Sequence, residues 1–195
     1  LAAPKERADG SVMCTGSTFT GAGRTDSWGS SALAGSGGTA QLTLTSCEVT
    51  NWDIGIANVE YDTATDDATT SVSDCSIHGN LSYGYYNYSE VAQDAEGNWW
   101  GDAAGPGTAK AGDNVNATVD YSPWYQLPPG SSPMKWGTND SIQDVIDLAT
   151  AGDTIEVSAG VYNEAVTIDK SVDLLGEDGA IIDGTGISYE GVFID

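Results

Sequence analysis

The chain has 195 residues, with 29 acidic against 6 basic side chains and a formal net charge of −23. Such a surface repels nucleic acid and anionic lipid, and no run approaches the ~20 apolar residues of a membrane-spanning helix. Neither nucleic-acid binding nor membrane insertion is therefore expected, and the charge suits a salty exterior: an extracellular or cell-surface location.

Hydrophobic residues make up 39% of the chain, with six Trp and nine Tyr, so a core is within reach. The 25 glycines, with abundant Ser and Thr, favour short strands and tight turns over long helices. The chain starts at Leu1 and shows no signal peptide, which reads as a mature or excised segment.

From the N-terminus the first signal is an internal repeat. "GSTFTG" (16–21), "TSCEVTN" (45–51) and "SDCSIHG" (73–79) align, placing Ser17, Cys47 and Cys75 in one row and Phe19, Val49 and Ile77 in the next. Cys14, Leu44 and Val72 align upstream, and "IGIAN" (54–58) matches "YGYYN" (83–87) downstream. The rows are β-branched and Thr-rich, which excludes a helical repeat. Stacked, they form a parallel β-solenoid with like residues in ladders ~4.8 Å apart.

Several expectations hang on this register. Cys47 and Cys75 become ladder neighbours, either as a disulfide or as a stack of buried thiols. No cysteine pair has zinc-site spacing. The segment 61–70 is expected as a loop thrown out between coils. Asp62, Asp66 and Asp67 in that loop, with Asp74, offer oxygen ligands for Ca²⁺ without the spacing of an EF-hand. Tyr83, Tyr85, Tyr86 and Tyr88 read either as strand packing or as a platform for sugar rings. N-glycosylation sequons stand at Asn80, Asn87, Asn116 and Asn139.

Next comes "NWWGDAAGPG" (98–107), and "YSPW" ends at Trp124. Two adjacent tryptophans among glycines and a proline read as a structural closure, with sugar binding as the alternative. Residues 127–133, rich in Pro, Gly and Ser, read as a linker. A short amphipathic helix is expected over about 140–150. Asp140 is its expected N-cap, Gln143 the capping-box partner, and Gly152 lies beyond its end. Alternating strands follow as far as "GVFID".

The stretch 141–184 carries a helix, then Gly152–Val157 (GDTIEV), Gly160–Glu164 (GVYNE) and Leu174–Gly176 (LLG). This order resembles the opening of right-handed parallel β-helix proteins of the pectin-lyase-like superfamily, where the helix caps the solenoid. The NWWG…GP…YSPW segment is similar to the one that closes many extracellular β-helices. The resemblance implies that Asn98, Trp99, Trp100, Gly101, Gly105, Pro106, Pro123 and Trp124 form the closing motif, with the tryptophans as plugs. The fold expected is mainly β: residues 1–126 as the C-terminal part of one β-helix, and 134–195 as the N-terminal part of a second.

The superfamily includes enzymes acting on acidic polysaccharides, whose chemistry needs acid–base groups beside an Arg or Lys. Lys5, Arg7, Arg24, Lys110, Lys135 and Lys170 are the only cations, and none falls in a strand beside an acidic cluster. Asp66–Asp67 lacks the Asn-x-Asp, Gly-His-Gly and Arg-x-Lys companions of polygalacturonase-like enzymes. No catalytic residue is assigned, and no cofactor beyond candidate Ca²⁺. The expected function is a structural solenoid in an extracellular filament or surface assembly. Its partner is itself, head-to-tail or in tandem. A piece of a polysaccharide-binding or polysaccharide-degrading protein is the alternative, with glycans as ligands.

Overall fold

The computed structural model describes residues 9–34, 37–61, 67–107, 113–186 and 191–194. The repeats wind into coils of short strands. β1 (Gly10–Thr15), β2 (Thr18–Thr20) and β3 (Trp28–Ala34) make the first coil. β4 (Thr39–Thr45), β5 (Glu48–Thr50) and β6 (Ile54–Glu60) make the second, and β7 (Asp67–Ser73), β8 (Ser76–His78) and β9 (Tyr83–Asn87) the third. Equivalent strands stack as three parallel sheets, β1-β4-β7, β2-β5-β8 and β3-β6-β9. The register is the one read from the repeats: Phe19 pairs with Val49 and Val49 with Ile77, Cys14 with Leu44, and Asn58 with Asn87.

The coils turn at one repeated corner. Gly16, Ser46, Asp74 and Gly97 occupy it in successive coils, all with φ between 53° and 63°. That left-handed geometry suits Gly and is tolerated by Asp more readily than by most residues. Backbone bonds run through the corner from Gly16 N to Thr45 O, Ser46 N to Ser73 O and Asp74 N to Gly97 O.

The expected loop over 61–70 is shorter at its C-terminal side. Asp67–Thr70 belong to β7, because alternate residues Ala68, Thr70 and Val72 continue the buried row below Ala40, Leu42 and Leu44. Asp62 and Asp66 lie outside the described residues.

The chain then completes the solenoid with β10 (Gln93–Asp94), single bridges at Trp99 and Val115, β11 (Val119–Asp120) and β12 (Trp124–Tyr125). A second set of coils follows: β13 (Lys135–Thr138), α1 (Ile142–Leu148), β14 (Thr154–Val157), β15 (Gly160–Tyr162), β16 (Val166–Ile168), β17 (Asp173–Gly176), β18 (Ala180–Ile182) and β19 (Val192–Ile194). Its parallel pairs are β13-β14-β17, β15-β18 and β16-β19. The fold is thus mainly β, a parallel β-solenoid with a single short helix among the described residues.

Two large apolar cores result, beside a smaller cluster of Ile54, Ala57 and Val59 packed with Tyr83 and Tyr86. One holds Leu44, Val49, Ile56, Val72, Ile77, Tyr85, Trp100 and Trp124. The other holds Trp136, Ile142, Val145, Ile146, Ile155, Val157, Tyr162 and Val166. Between them β12 pairs antiparallel with β13. Residues 127–133, expected as a linker, form the turn of this hairpin, with Gln126 N bonded to Lys135 O at 2.7 Å.

Candidate functional site

The hairpin seam is where the sequence's singled-out residues gather. Trp99 bridges Ser76 on one side and Tyr125 on the other, so one sheet runs from β2 through β5, β8, Trp99 and β12 into β13, β14 and β17. Every junction is parallel except β12/β13.

Opposed residues of an antiparallel pair point to the same face. Trp124 opposes Gly137 and belongs to the first core; Tyr125 opposes Trp136 and packs on the second. The core therefore changes face of the sheet at the seam. Strand direction and core side reverse together, so the winding sense of the solenoid is conserved.

Small residues make the crossing possible. A Cβ on Gly137 would stand 2.6 Å from the Trp124 ring, and one on Gly105 at 2.8 Å. Gly105 also holds φ +78°. Trp124 Nε1 donates to Ala103 O at 3.0 Å, and Tyr125 and Trp136 meet edge-to-face with centroids 4.6 Å apart.

The other residues of the expected closing motif sit in distinct surroundings. Asn98 is fully buried: its Oδ1 accepts from Cys75 N at 2.8 Å, and its Nδ2 donates towards Val72 O, Ala95 O and Glu96 O. Trp100 is fully buried, and its Nε1 has no hydrogen-bond partner among the described residues. Trp99 departs from the expected plug. It sits half-buried, because residues 98 and 100 take the inward positions and strand alternation turns residue 99 outward. Gly101 has φ +87°, Pro106 and Pro123 are buried, and Pro123 O accepts from Gly97 N at 2.7 Å.

Beneath the seam lies a cleft of about 500 Å³, lined among others by Asp74, Asp94, Glu96, Tyr125, Trp136 and Asp153. Among the described residues, no Lys, Arg or His lines it. Burial, aided by Asp94 and Asp120, pushes the Glu96 carboxyl up to about 7. Asp153 is committed to structure: its oxygens accept from Met134 N, Trp136 Nε1, Thr150 N and Thr150 Oγ1. Burial works against its charge, but those bonds hold it below the usual carboxylate range. Asp74 accepts from Ser46 Oγ at 2.6 Å and from Tyr125 Oη at 3.3 Å. Burial and the Asp74 charge push the Tyr125 hydroxyl up to about 12. Acidic oxygens are plentiful, yet no three His, Cys, Asp or Glu side chains converge in a metal-holding arrangement among the described residues. Of the candidate Ca²⁺ ligands, Asp67 lies on β7 and Asp74 at the corner.

Helix α1 caps the second core, but its N-terminus differs from the reading. Ser141 is the N-cap and accepts from Asp144 N at 3.1 Å. Thr138 Oγ1 accepts from Asp140 N, which keeps Asp140 in the turn before the helix. Gln143 is not a capping-box partner; its amide instead binds Asp147 and the Thr167 backbone N–H. Glu164, from the GVYNE motif, accepts from Ile142 N and Gln143 N. Lys170 Nζ donates to Ile146 O, Asp147 O and Ala149 O at the other end. Lys135 pairs with Glu156. Lys5, Arg7 and Lys110 lie outside the described residues.

Cys47 and Cys75 are buried and unbridged, with Cys47 N donating to Cys75 Sγ at 3.3 Å. Burial pushes the Cys75 thiol up to about 12. Of the tyrosine run, Tyr85 faces the core, whereas Tyr83, Tyr86 and Tyr88 line the outer face. There Tyr83 touches Tyr86, Tyr86 touches Tyr88, and Tyr88 touches Trp28.

The repeat alignment sets Asn58 beside Asn87, and the structure extends that pair through Asn116 into a polar ladder. Asn58 Nδ2 donates to Asn87 Oδ1 at 3.0 Å, and Asn87 N to Asn116 Oδ1 at 2.8 Å. The signal was present, since Asn58, Asn87 and Asn116 are spaced 29 apart. The face switch left no comparable signal.

No family model, curated protein or solved structure matches the chain.

Proposed function

We propose that the chain is a non-catalytic structural element of an extracellular β-solenoid assembly, in which coils continue past both outer edges into the next protomer or tandem repeat. The observation that carries this reading is the state of the outermost coils. Val12 sits in the inward row above Leu42 yet is 56% exposed; Val192 and Ile194, in register with Val166 and Ile168, are 43% and 75% exposed. In the second set of coils an apolar hollow of about 150 Å³ opens between Val157, Tyr162, Leu174 and Ile182. Exposed inward rows, and outer strand edges that no described residue pairs, favour a further coil on each side.

The helix cap, the GDTIEV and GVYNE segments and the Trp closure support membership of the pectin-lyase-like superfamily. Their chemistry here is structural: Glu164 and Lys170 clamp a helix, and Asn98 and Trp124 close a coil. A second reading, polysaccharide binding, is favoured by the outward Trp28–Tyr88–Tyr86–Tyr83 contact chain.

Electron microscopy and sedimentation of the purified chain, with a binding and turnover screen against acidic and neutral glycans, test the proposal. End-to-end association into rods without turnover is the expected result. Saturable turnover of a glycan would overturn the structural reading, and tight glycan binding lost on Trp28→Ala would favour the second.

A further inference from the structure

The four sequons are equivalent in sequence and unlike one another in the fold. Asn87 is 2% exposed, and its Nδ2 donates to Val91 O at 2.7 Å and Thr118 O at 3.2 Å. Asn116 Nδ2 donates to Asn87 O and Thr118 Oγ1, within the polar ladder. Asn80 Nδ2 donates to Val49 O and to the buried Asp113 carboxylate. A sugar on any of these nitrogens replaces a proton already used in a hydrogen bond. It would also force the glycan into the solenoid wall, leaving buried acceptors orphaned.

Asn139 differs on each count. It is exposed and lies in the turn between β13 and α1, and its Nδ2 makes a single 3.5 Å contact with Tyr121 Oη. We infer that Asn139 is the N-glycosylation site of the folded chain, and that a glycan there stands on the seam between the two cores. In the transfer step Nδ2 attacks the anomeric carbon of a polyisoprenyl-diphosphate-linked oligosaccharide. The N–C bond forms as the C–O bond to phosphate breaks. The lipid diphosphate leaves with the electron pair, and Nδ2 yields one proton to a carboxylate of the transferase.

The sequon's hydroxyl has a second job that makes the site testable. Ser141 completes Asn-Asp-Ser and is also the N-cap of α1, with φ −113° and ψ 131°. Asp caps helices as well as Ser does but cannot complete a sequon, whereas Thr does both. Ser141→Thr therefore keeps both the cap and the sequon, whereas Asn139→Gln removes the sequon and leaves the cap in place.

The inference rests on the extracellular part of the proposed function. Secretion from a eukaryotic host supplies that condition in the experiment. An unmodified Asn139 would then count against the site and leave the solenoid's structural role untouched. The full chain is secreted from such a host, its folded fraction is isolated by size exclusion, and its glycopeptides are mapped by mass spectrometry. The expected result is one glycan, on Asn139. It should be lost in Asn139→Gln and Ser141→Asp and kept in Ser141→Thr, with the melting temperature compared between the wild type and Ser141→Thr, since Ser141 Oγ also lies 3.4 Å from the Glu164 carboxylate. Folded protein lacking sugar at Asn139, or carrying it at Asn80, Asn87 or Asn116, would overturn the inference.

Discussion

Asn98 shows how a single side chain can end a coil. With no exposed surface it satisfies a backbone N–H of the coil below and reaches three carbonyl oxygens around it. Each buried backbone group left unpaired costs about 1–3 kcal/mol. Asn98→Ala should therefore lose about 3 kcal/mol or more in urea unfolding, and a loss under about 0.5 kcal/mol would contradict the assignment. Glu96 gives a pH signature. Its folded-state carboxyl is raised from 4.5 to about 7 by burial and then by Asp94 and Asp120. The native state thus holds a proton that the unfolded chain releases earlier. Its contribution is most favourable below about pH 4.5 and is lost as pH rises towards about 7. The melting temperature should fall across that window, and Glu96→Gln should flatten the fall. An equal slope in the variant would place the titration elsewhere. The inward rows were legible from sequence because a parallel solenoid stacks like on like: Phe19, Val49 and Ile77 betray their register by type alone. The roles of Asn98 and Glu96 were not, since they depend on which backbone groups the corner leaves unpaired and on which carboxylates the seam crowds together.

Among the elements, α1 is the least able to stand alone. It has seven residues, and isolated helices shorter than ~12–15 residues are marginal in water. Ile142, Val145 and Ile146 bury against the second core, and charged side chains grip both ends. Glu164 accepts from the first free N–H groups and Lys170 donates to the last free carbonyls, each complementing the helix dipole. Lys170→Met should cost about 1–2 kcal/mol, read from denaturant midpoints. Helical circular dichroism should melt before the sheet signal in that variant; coincident, unshifted transitions would contradict the clamp. The helix itself was visible in the spacing of Ile142, Val145, Ile146 and Ala149. Its cap was read one residue early because Asp140 and Ser141 are equally good caps locally. Thr138, held by the end of β13, decides between them. The clamps come from 22 to 24 residues downstream, beyond any local pattern.

At the scale of the whole molecule, one sheet joins two cores that lie on its opposite faces, with a single antiparallel junction between parallel stacks. That arrangement sets β13 directly beside β12, with 127–133 as the turn between them. It also continues the sheet from the first set of coils into the second without leaving a strand edge bare between them. Sequence alone could not show it: reversing one strand and changing core face alters no residue period, and only the opposition of large Trp124 to small Gly137 marks the place. The seam has a sharp spectroscopic consequence. Because Gln126 N donates to Lys135 O, Tyr125 and Trp136 occupy the non-hydrogen-bonded position of the pair, with Cα atoms about 4.5 Å apart. The direct measurement is a nuclear Overhauser spectrum of the labelled chain. A strong Hα–Hα cross-peak between Tyr125 and Trp136 is predicted. Its absence, with 127–133 giving the averaged signals of a free linker, would contradict the joined-solenoid account.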